Sequence, residues 1–148
     1  MKDIQLFLRL LMAIFQRVFY VCSAGQMPPF ASVAMVIREG GKILMLDRSD
    51  GRGWGLPGGF VKMYEGAEQA VCREVREETG FEVEVTGVLG TLSGKRPGTW
   101  IRSVDVVFNG RVVGGALHDS TEGRSAWVRL DDVRSRIAFD YLEILETL

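Results

Sequence analysis

Residues 59–81 constrain this chain more than any other stretch. Gly59 is followed by five residues, then Glu65, then seven more before Arg73-Glu74-Val75-Arg76-Glu77-Glu78-Thr79-Gly80-Phe81. Glu74, Glu77 and Glu78 stand at i, i+3 and i+4, which on a helix gathers three carboxylates on one face. Glu65 lies one to two turns earlier and can join them. Val71 and Val75, with Cys72 beside them, form an apolar stripe about a quarter turn away. One face of this helix can therefore pack on a sheet while the other collects acid. Gly80 occupies the place of a helix C-cap glycine. Glu77 and Glu78 then fall in the last turn, where the helix dipole disfavours negative charge, and the carboxylates repel one another. Arg73 and Arg76 offset only part of this. Local costs of this kind usually mark a site.

The lead-in sharpens the reading. Trp54-Gly55-Leu56-Pro57-Gly58-Gly59 immediately precedes the acidic segment. Its adjacent glycines allow the backbone to approach a phosphate or to present a carbonyl to a metal. Oxygen ligands at this density suit Mg²⁺ or Mn²⁺. A bare Glu-x-x-Glu-Glu would more simply be a solvated acidic helix face; the glycine lead-in and Glu65 argue against that here.

The whole pattern resembles the Nudix box, the signature of Nudix hydrolases, which cleave diphosphate bonds with a divalent metal. At average residue usage a chance match in a chain this long is on the order of one in a million. The resemblance implies an α+β fold, the Nudix α/β/α sandwich, with a mixed sheet flanked by helices. In order of elements it spans about residues 30–135, but only the box and its lead-in are specific. It implies that Glu74 and Glu78 are the chief metal ligands, that Glu77 supports them or binds a second ion, and that Gly59 offers a backbone carbonyl. Arg73 would pair with Glu65 and hold the carboxylates. Some members take the general base from the box and others from a late loop; Glu122 in Thr121-Glu122-Gly123 resembles that loop acid, and is equally readable as an ordinary loop residue. Arg48 and Arg52, with Gly58 and Gly59, are candidates for phosphate contact. Tyr64 stands where many members carry glycine before the box Glu; it falls on a spacer position.

The expected reaction is metal-dependent hydrolysis of a nucleoside diphosphate linked to another moiety. The substrate stays open between nucleoside triphosphates and ADP-ribose or nucleotide sugars. The upstream signature of coenzyme A members and the tryptophan-proline array of NADH members are absent. Pro97 lies near where ADP-ribose members often carry a proline, though Lys95-Arg96-Pro97-Gly98 is also a natural turn. Trp54, Trp100 and Phe30 are candidates for base stacking, with a core role the simpler alternative. A second function class is a nucleotide-binding regulator on the same fold; such proteins commonly show an eroded box, and this one is intact.

Composition adds boundaries. At 148 residues, 47% hydrophobic and 25% charged, the chain is expected to form one domain with a substantial core. A formal net charge of −1 disfavours long nucleic acid as partner and suits a small nucleotide. Cys22 and Cys72 have no zinc or disulfide spacing, which fits a reducing, cytoplasmic setting. His118 reads as a surface residue.

Turn signals divide the chain. Phe30–Ile37 and Lys42–Leu46 read as a hairpin across Glu39-Gly40-Gly41, and Leu56–Val61 as a short strand broken by glycines. A helix over about 66–79 precedes a strand over Phe81–Leu92, where Gly87 and Gly90 permit a bulge. Ile101–Phe108 is a strand, Asn109-Gly110 signals a hairpin, and Arg111–Val113 follows. Ala126–Leu130 is a strand, Asp131 a helix cap, and Phe139–Leu148 an amphipathic helix.

Ile4–Cys22 is the least ordinary region, with only Gln5, Arg9, Gln16 and Arg17 polar. Arg9 and Arg17 argue against both a spanning helix and a cleaved signal. The organisation expected is an amphipathic helix and linker over 1–25, with the hydrolase domain over 26–148. The helix would dock on its own domain, pair in a homodimer, or make peripheral membrane contact.

Overall fold

The computed structural model describes residues 2–25, 29–94 and 102–147. The long hydrophobic helix is α1 (Lys2–Cys22). Then come β1 (Phe30–Glu39), β2 (Lys42–Arg48), β3 (Trp54–Gly55), β4 (Gly58–Phe60), α2 (Ala67–Thr79), β5 (Phe81–Gly94), β6 (Ser103–Gly115) and β7 (Gly123–Val128). The chain ends in α3 (Leu130–Val133), a 3₁₀ turn (Arg134–Arg136) and α4 (Tyr141–Leu145). Lys95–Gly98 with Pro97, and Trp100, lie outside the described residues.

Among the described residues the strands form one mixed sheet, ordered β3-β2-β1-β6-β5, with β4 pairing β1 and β7 pairing β2. β1 is its spine. It runs parallel to β6 from Phe30↔Ser103 to Ile37↔Gly110 and antiparallel to β4 from Ser32↔Phe60 to Ala34↔Gly58. Both faces of β1 are covered, so Val33–Ile37 reads as an unbroken buried run rather than an alternation. Val33, Met35 and Ile37 pack with Leu44, Phe108 and the α2 residues Ala70, Val71 and Val75. Ala34 and Val36 point the other way, into Trp54, Leu56, Val133 and the α4 residues Tyr141, Ile144 and Leu145. α2 on one face and the C-terminal helices on the other make the α/β/α sandwich.

Three expectations need correction. Asn109-Gly110 is no turn. β6 runs straight through it, with Asn109 opposite Gly87 and Gly110 opposite Val85. Gly110 serves packing instead: a Cβ there would stand 2.2 Å from Met35 Sδ. The second helix boundary also shifts, since Arg129 precedes α3 as its cap and Asp131 sits inside the first turn. The terminal helix is short, because Phe139 has a left-handed backbone (φ 59°) and stands outside it. The expected irregularity of β5 is present: its register shifts between Val85 and Gly87 and between Val88 and Gly90.

Candidate active site

Helix α2 sets the carboxylates. Gly66 opens it, donating its N–H to Gln69 Oε1 at 2.9 Å. Gly80 closes it in the left-handed region (φ 79°), its N–H bonded to Arg76 O, as a C-cap glycine should. Ala70, Val71 and Val75 anchor the sheet side. The acidic side consequently faces the loop and strand that carry Gly58 and Gly59.

Arg73 organises the exposed part of this face. Its Nε donates to Glu65 Oε2 at 2.9 Å and its Nη2 to Glu65 Oε1 at 2.5 Å. Its Nη1 donates to Glu74 Oε1 at 2.7 Å and to Glu77 Oε2 at 3.1 Å, and Nη2 reaches Phe60 O at 3.3 Å. Glu65 Oε1 also accepts the Lys62 N–H at 2.8 Å. The Arg73 fork and that N–H hold the Glu65 carboxyl down at about 2. The same contacts, Glu65 first, raise the Arg73 guanidinium further above its ordinary value.

Glu78 lives in a different environment. It is 3% exposed, and its Oε2 accepts the Gly58 N–H at 2.8 Å. Burial pushes its carboxyl up to about 8, the Gly58 bond opposes the shift, and the charges of Glu122 and Glu74 add to it. Burial raises Glu74 as well, against the pull of Arg73. The glycines are required by contact. A Cβ on Gly58 would stand 2.1 Å from Val33 O, and one on Gly59 would stand 2.6 Å from the Glu74 carboxyl. Glu74 therefore lies directly on the Gly59 backbone.

Strand ends bring the remaining candidates in. Ser49 donates its N–H to Glu122 O at 2.8 Å, which pins the 120–123 turn beside the end of β2. Glu122 is exposed, yet near enough to raise Glu78 and Glu74 by its charge. Arg48 pairs with Asp50 at 2.9 Å. Burial works against its charge, but Asp50, followed by Tyr141 and Glu122, keeps the guanidinium above its usual value. Arg52 lies 3.6 Å from the same Asp50. The Phe139 ring stacks with both, 5.3 Å from the Arg48 guanidinium and 5.6 Å from that of Arg52.

The comparisons with known proteins agree with this geometry. A model of the NUDIX domain matches residues 27–148. The chain belongs to the Nudix family. A MutT-like protein of Streptomyces ambofaciens is 36% identical over 82% of this chain and 79% of its own length. An ADP-ribose pyrophosphatase of Methanocaldococcus jannaschii is 33% identical over 80% and 72%. Among solved structures, a MutT protein from Methanosarcina mazei Go1 superposes with a TM-score of 0.67 at 29% identity, covering 82% of this chain and 94% of that one. As a Nudix protein with these relatives, the chain is a pyrophosphohydrolase acting on small nucleotides, and the family generally needs divalent metal.

Does the Nudix donor set of this chain fit such an ion? Among the described residues no three acidic, histidine or cysteine groups meet in ready-made ligand geometry. Arg73 draws the Glu74 and Glu77 oxygens to itself, and the Gly58 N–H takes Glu78. The chemistry of the set nevertheless fits. All its donors are carboxylate or carbonyl oxygens, and burial and neighbouring carboxylates raise both Glu78 and Glu74, a cost that a bound cation would relieve. The Tyr64 departure does not touch the cluster, its side chain being 96% exposed.

The structure thus brings Glu65, Arg73, Glu74 and Glu77 into one network, sets Glu78 against Gly58, and puts Glu122 and Arg48 within electrostatic reach. Arg52 belongs to the Asp50–Phe139 group beside Arg48. Trp54 is buried in the core, and Phe30 packs on Phe60 at 5.7 Å. His118 is exposed, its N–H bonded to Thr79 O at 2.9 Å. Sequence reasoning missed Asp50 and Phe139. Asp50, two residues from Arg48, was open to inspection as its partner; nothing marked Phe139 as more than an apolar helix position.

Proposed function

We propose that this Nudix protein hydrolyses a nucleoside diphosphate joined to another group, with ADP-ribose first among candidate substrates and nucleoside triphosphates second. The products would be a nucleoside monophosphate and the phosphorylated remainder. The relative and the neighbour named for ADP-ribose hydrolysis support that order: the Methanocaldococcus protein, and an ADP-ribose pyrophosphatase from Streptococcus suis at 30% identity with a TM-score of 0.62, covering 71% of this chain and 77% of that one. The observation that carries the site is the burial of Glu78 against Gly58, with Glu74 and Glu122 close by.

In this reading Glu74, Glu77 and Glu78, with the Gly59 carbonyl, would hold Mg²⁺ or Mn²⁺. A bound ion would neutralise the diphosphate and lower the pKa of a water. Arg73 and Glu65 are positioning residues that fix the rotamers of Glu74 and Glu77. Glu122, exposed on the 120–123 turn and close enough to act on Glu74 and Glu78 by its charge, would accept the proton from the attacking water. Arg48 and Arg52, braced on the Phe139 ring, would take the phosphate oxygens.

The test is a panel of ADP-ribose, nucleotide sugars, nucleoside triphosphates and dinucleoside polyphosphates, each with Mg²⁺, Mn²⁺ or chelator. ADP-ribose is expected to give AMP and ribose 5-phosphate only with metal. Faster turnover of a triphosphate would reverse the order; no metal-dependent product from any member would defeat the reading.

A further inference from the structure

Helix α1 is built the wrong way round for a helix that packs on its own domain. Its tie to the rest of the chain runs through a polar residue. Gln16 Nε2 donates to Arg102 O at 3.1 Å, and Gln16 Oε1 accepts the Arg102 N–H at 3.1 Å. Beside that clasp, between the C-terminal part of the helix and the sheet, lies a cleft of about 690 Å³ lined by Gln16, Arg17, Tyr20, Pro29, Arg102 and Ser103 among others. The outward face is apolar. At 100° per residue, Leu10, Ile14, Val18, Leu11, Phe15 and Phe19 trace an arc of about 180°, and each is between 46% and 59% exposed. So large a contiguous apolar surface marks an interaction site.

We propose that this face lies in the surface of an anionic lipid bilayer, with the helix in the membrane plane and the Nudix domain riding on its polar side. Three observations favour this occupant. The first is charge. Lys2, Arg9 and Arg17 outweigh Asp3, so α1 carries +2 in a chain whose total is −1, and the remainder carries −3. A cationic helix on an anionic body is complementary to anionic headgroups. The second is the width of the apolar arc. A helix pair buries a narrower seam, whereas half a cylinder of apolar surface matches immersion to the depth of the acyl boundary. The third is the position of the clasp. Gln16 holds the domain against the side of the helix, about two-thirds of the way along its 21 residues, and among the described residues no helix is long and apolar enough to cross a membrane. Lying in the plane satisfies both facts. Arg17, exposed and next to the Leu10 edge of the arc, is placed to meet headgroups.

The experiment is flotation of the full chain with vesicles of phosphatidylcholine alone and with vesicles containing about 30 mol% phosphatidylglycerol, at low and high salt. Light scattering gives the oligomeric state in parallel. The expected result is binding that needs the anionic lipid, weakens at least tenfold at high salt, and falls at least tenfold in Phe15→Glu/Val18→Glu. Arg17→Gln should lose part of the binding while leaving the apolar arc intact. Both variants alter exposed positions, so circular dichroism and turnover of a small nucleotide should match the parent. Binding to neither vesicle, binding indifferent to lipid charge, or a dimer that Phe15→Glu/Val18→Glu converts to monomer would each overturn the proposal; the last would assign the face to a second copy.

Discussion

Two amphipathic helices divide this molecule, and they face opposite ways. α2 turns Ala70, Val71 and Val75 into the sheet and holds Glu74, Glu77 and Glu78 on its other side, each with a partner. α1 turns Gln16 inward and leaves Leu11, Phe15 and Val18 exposed. Amphipathicity alone does not decide which side of a helix looks into a protein. α2 is fixed by its connections, since Gly80 is the single residue between it and β5, and Gly58 and Gly59 of β4 lie on its acidic residues. α1 is separated from β1 by residues 23–29 and held by the Gln16 clasp, so its apolar face is free to seek another phase.

The largest effect should come from the charge buried at the α2 end. Glu78→Gln and Glu74→Gln should each lower kcat at least about a hundredfold in the metal-dependent assay. Glu78→Gln should do so while stabilising the metal-free protein, because glutamine keeps an acceptor for the Gly58 N–H and removes a buried charge. A loss of stability with activity retained would make the acidic face structural. The pH dependence sharpens this. The folded carboxyl sits at about 8, above its ordinary value of 4.5. The folded chain therefore binds more protons than the unfolded one between those values, and stability present below about 4.5 is lost as pH rises through about 8. In chelator, urea unfolding should show the variant well above the parent at pH 9 and almost level with it at pH 4. Adding Mg²⁺ or Mn²⁺ at pH 9 should close the gap, by stabilising the parent more than the variant.

Arg73 comes next. Arg73→Ala removes the donor shared by Glu65, Glu74 and Glu77 and should cost about 1–3 kcal/mol in unfolding free energy. kcat should fall roughly tenfold or more with a smaller change in KM, since the carboxylates remain but lose their fixed positions. Arg73→Lys should recover little, because one ammonium cannot reproduce the fork that spans three carboxylates. A lysine variant with parental kcat would reduce Arg73 to a surface charge.

The same two regions show what the sequence could tell. The α2 face was legible because fixed spacing, a helix period and a glycine stop all agree on it, and the contacts run between residues near in sequence. Burial of Glu78 was not, because its cause is β4, which pairs with β1 and sets the Gly58 N–H on the Glu78 carboxyl from twenty residues away in sequence. Asn109-Gly110 misled for a related reason. The pair carries a strong local turn signal, yet β6 continues because β5 and β1 pair with it on both sides and Met35 fills the space beside Gly110. Gly110→Ala should thus destabilise by about 1–3 kcal/mol through overpacking against the buried Met35, with kcat held within about threefold. A neutral outcome would mean Met35 swings aside, and the glycine would need another explanation. Phe139 was illegible for the opposite reason: its left-handed backbone and its stacking on Arg48 and Arg52 follow from the tertiary position of the α4 approach.

The smallest effect should appear at the joint between the two halves of the comparison. Gln16 ties α1 to Arg102 by two exposed hydrogen bonds at 3.1 Å, and exposed bonds exchange with water at little net cost. Gln16→Ala should therefore change unfolding free energy by less than about 1 kcal/mol. Turnover should stay within about twofold of the parent, because neither Gln16 nor Arg102 contacts any carboxylate of the α2 site. What should move is local opening. Hydrogen exchange at the Arg102 N–H, which donates to Gln16 in the parent, should accelerate, while the amides of β1 and α2 keep their protection. If exchange speeds up across β6 and β1 as well, α1 is part of the cooperative core and the contrast between the two helices is one of orientation only. If turnover falls with it, α1 acts on the site through the sheet, and its separateness from the catalytic machinery is wrong.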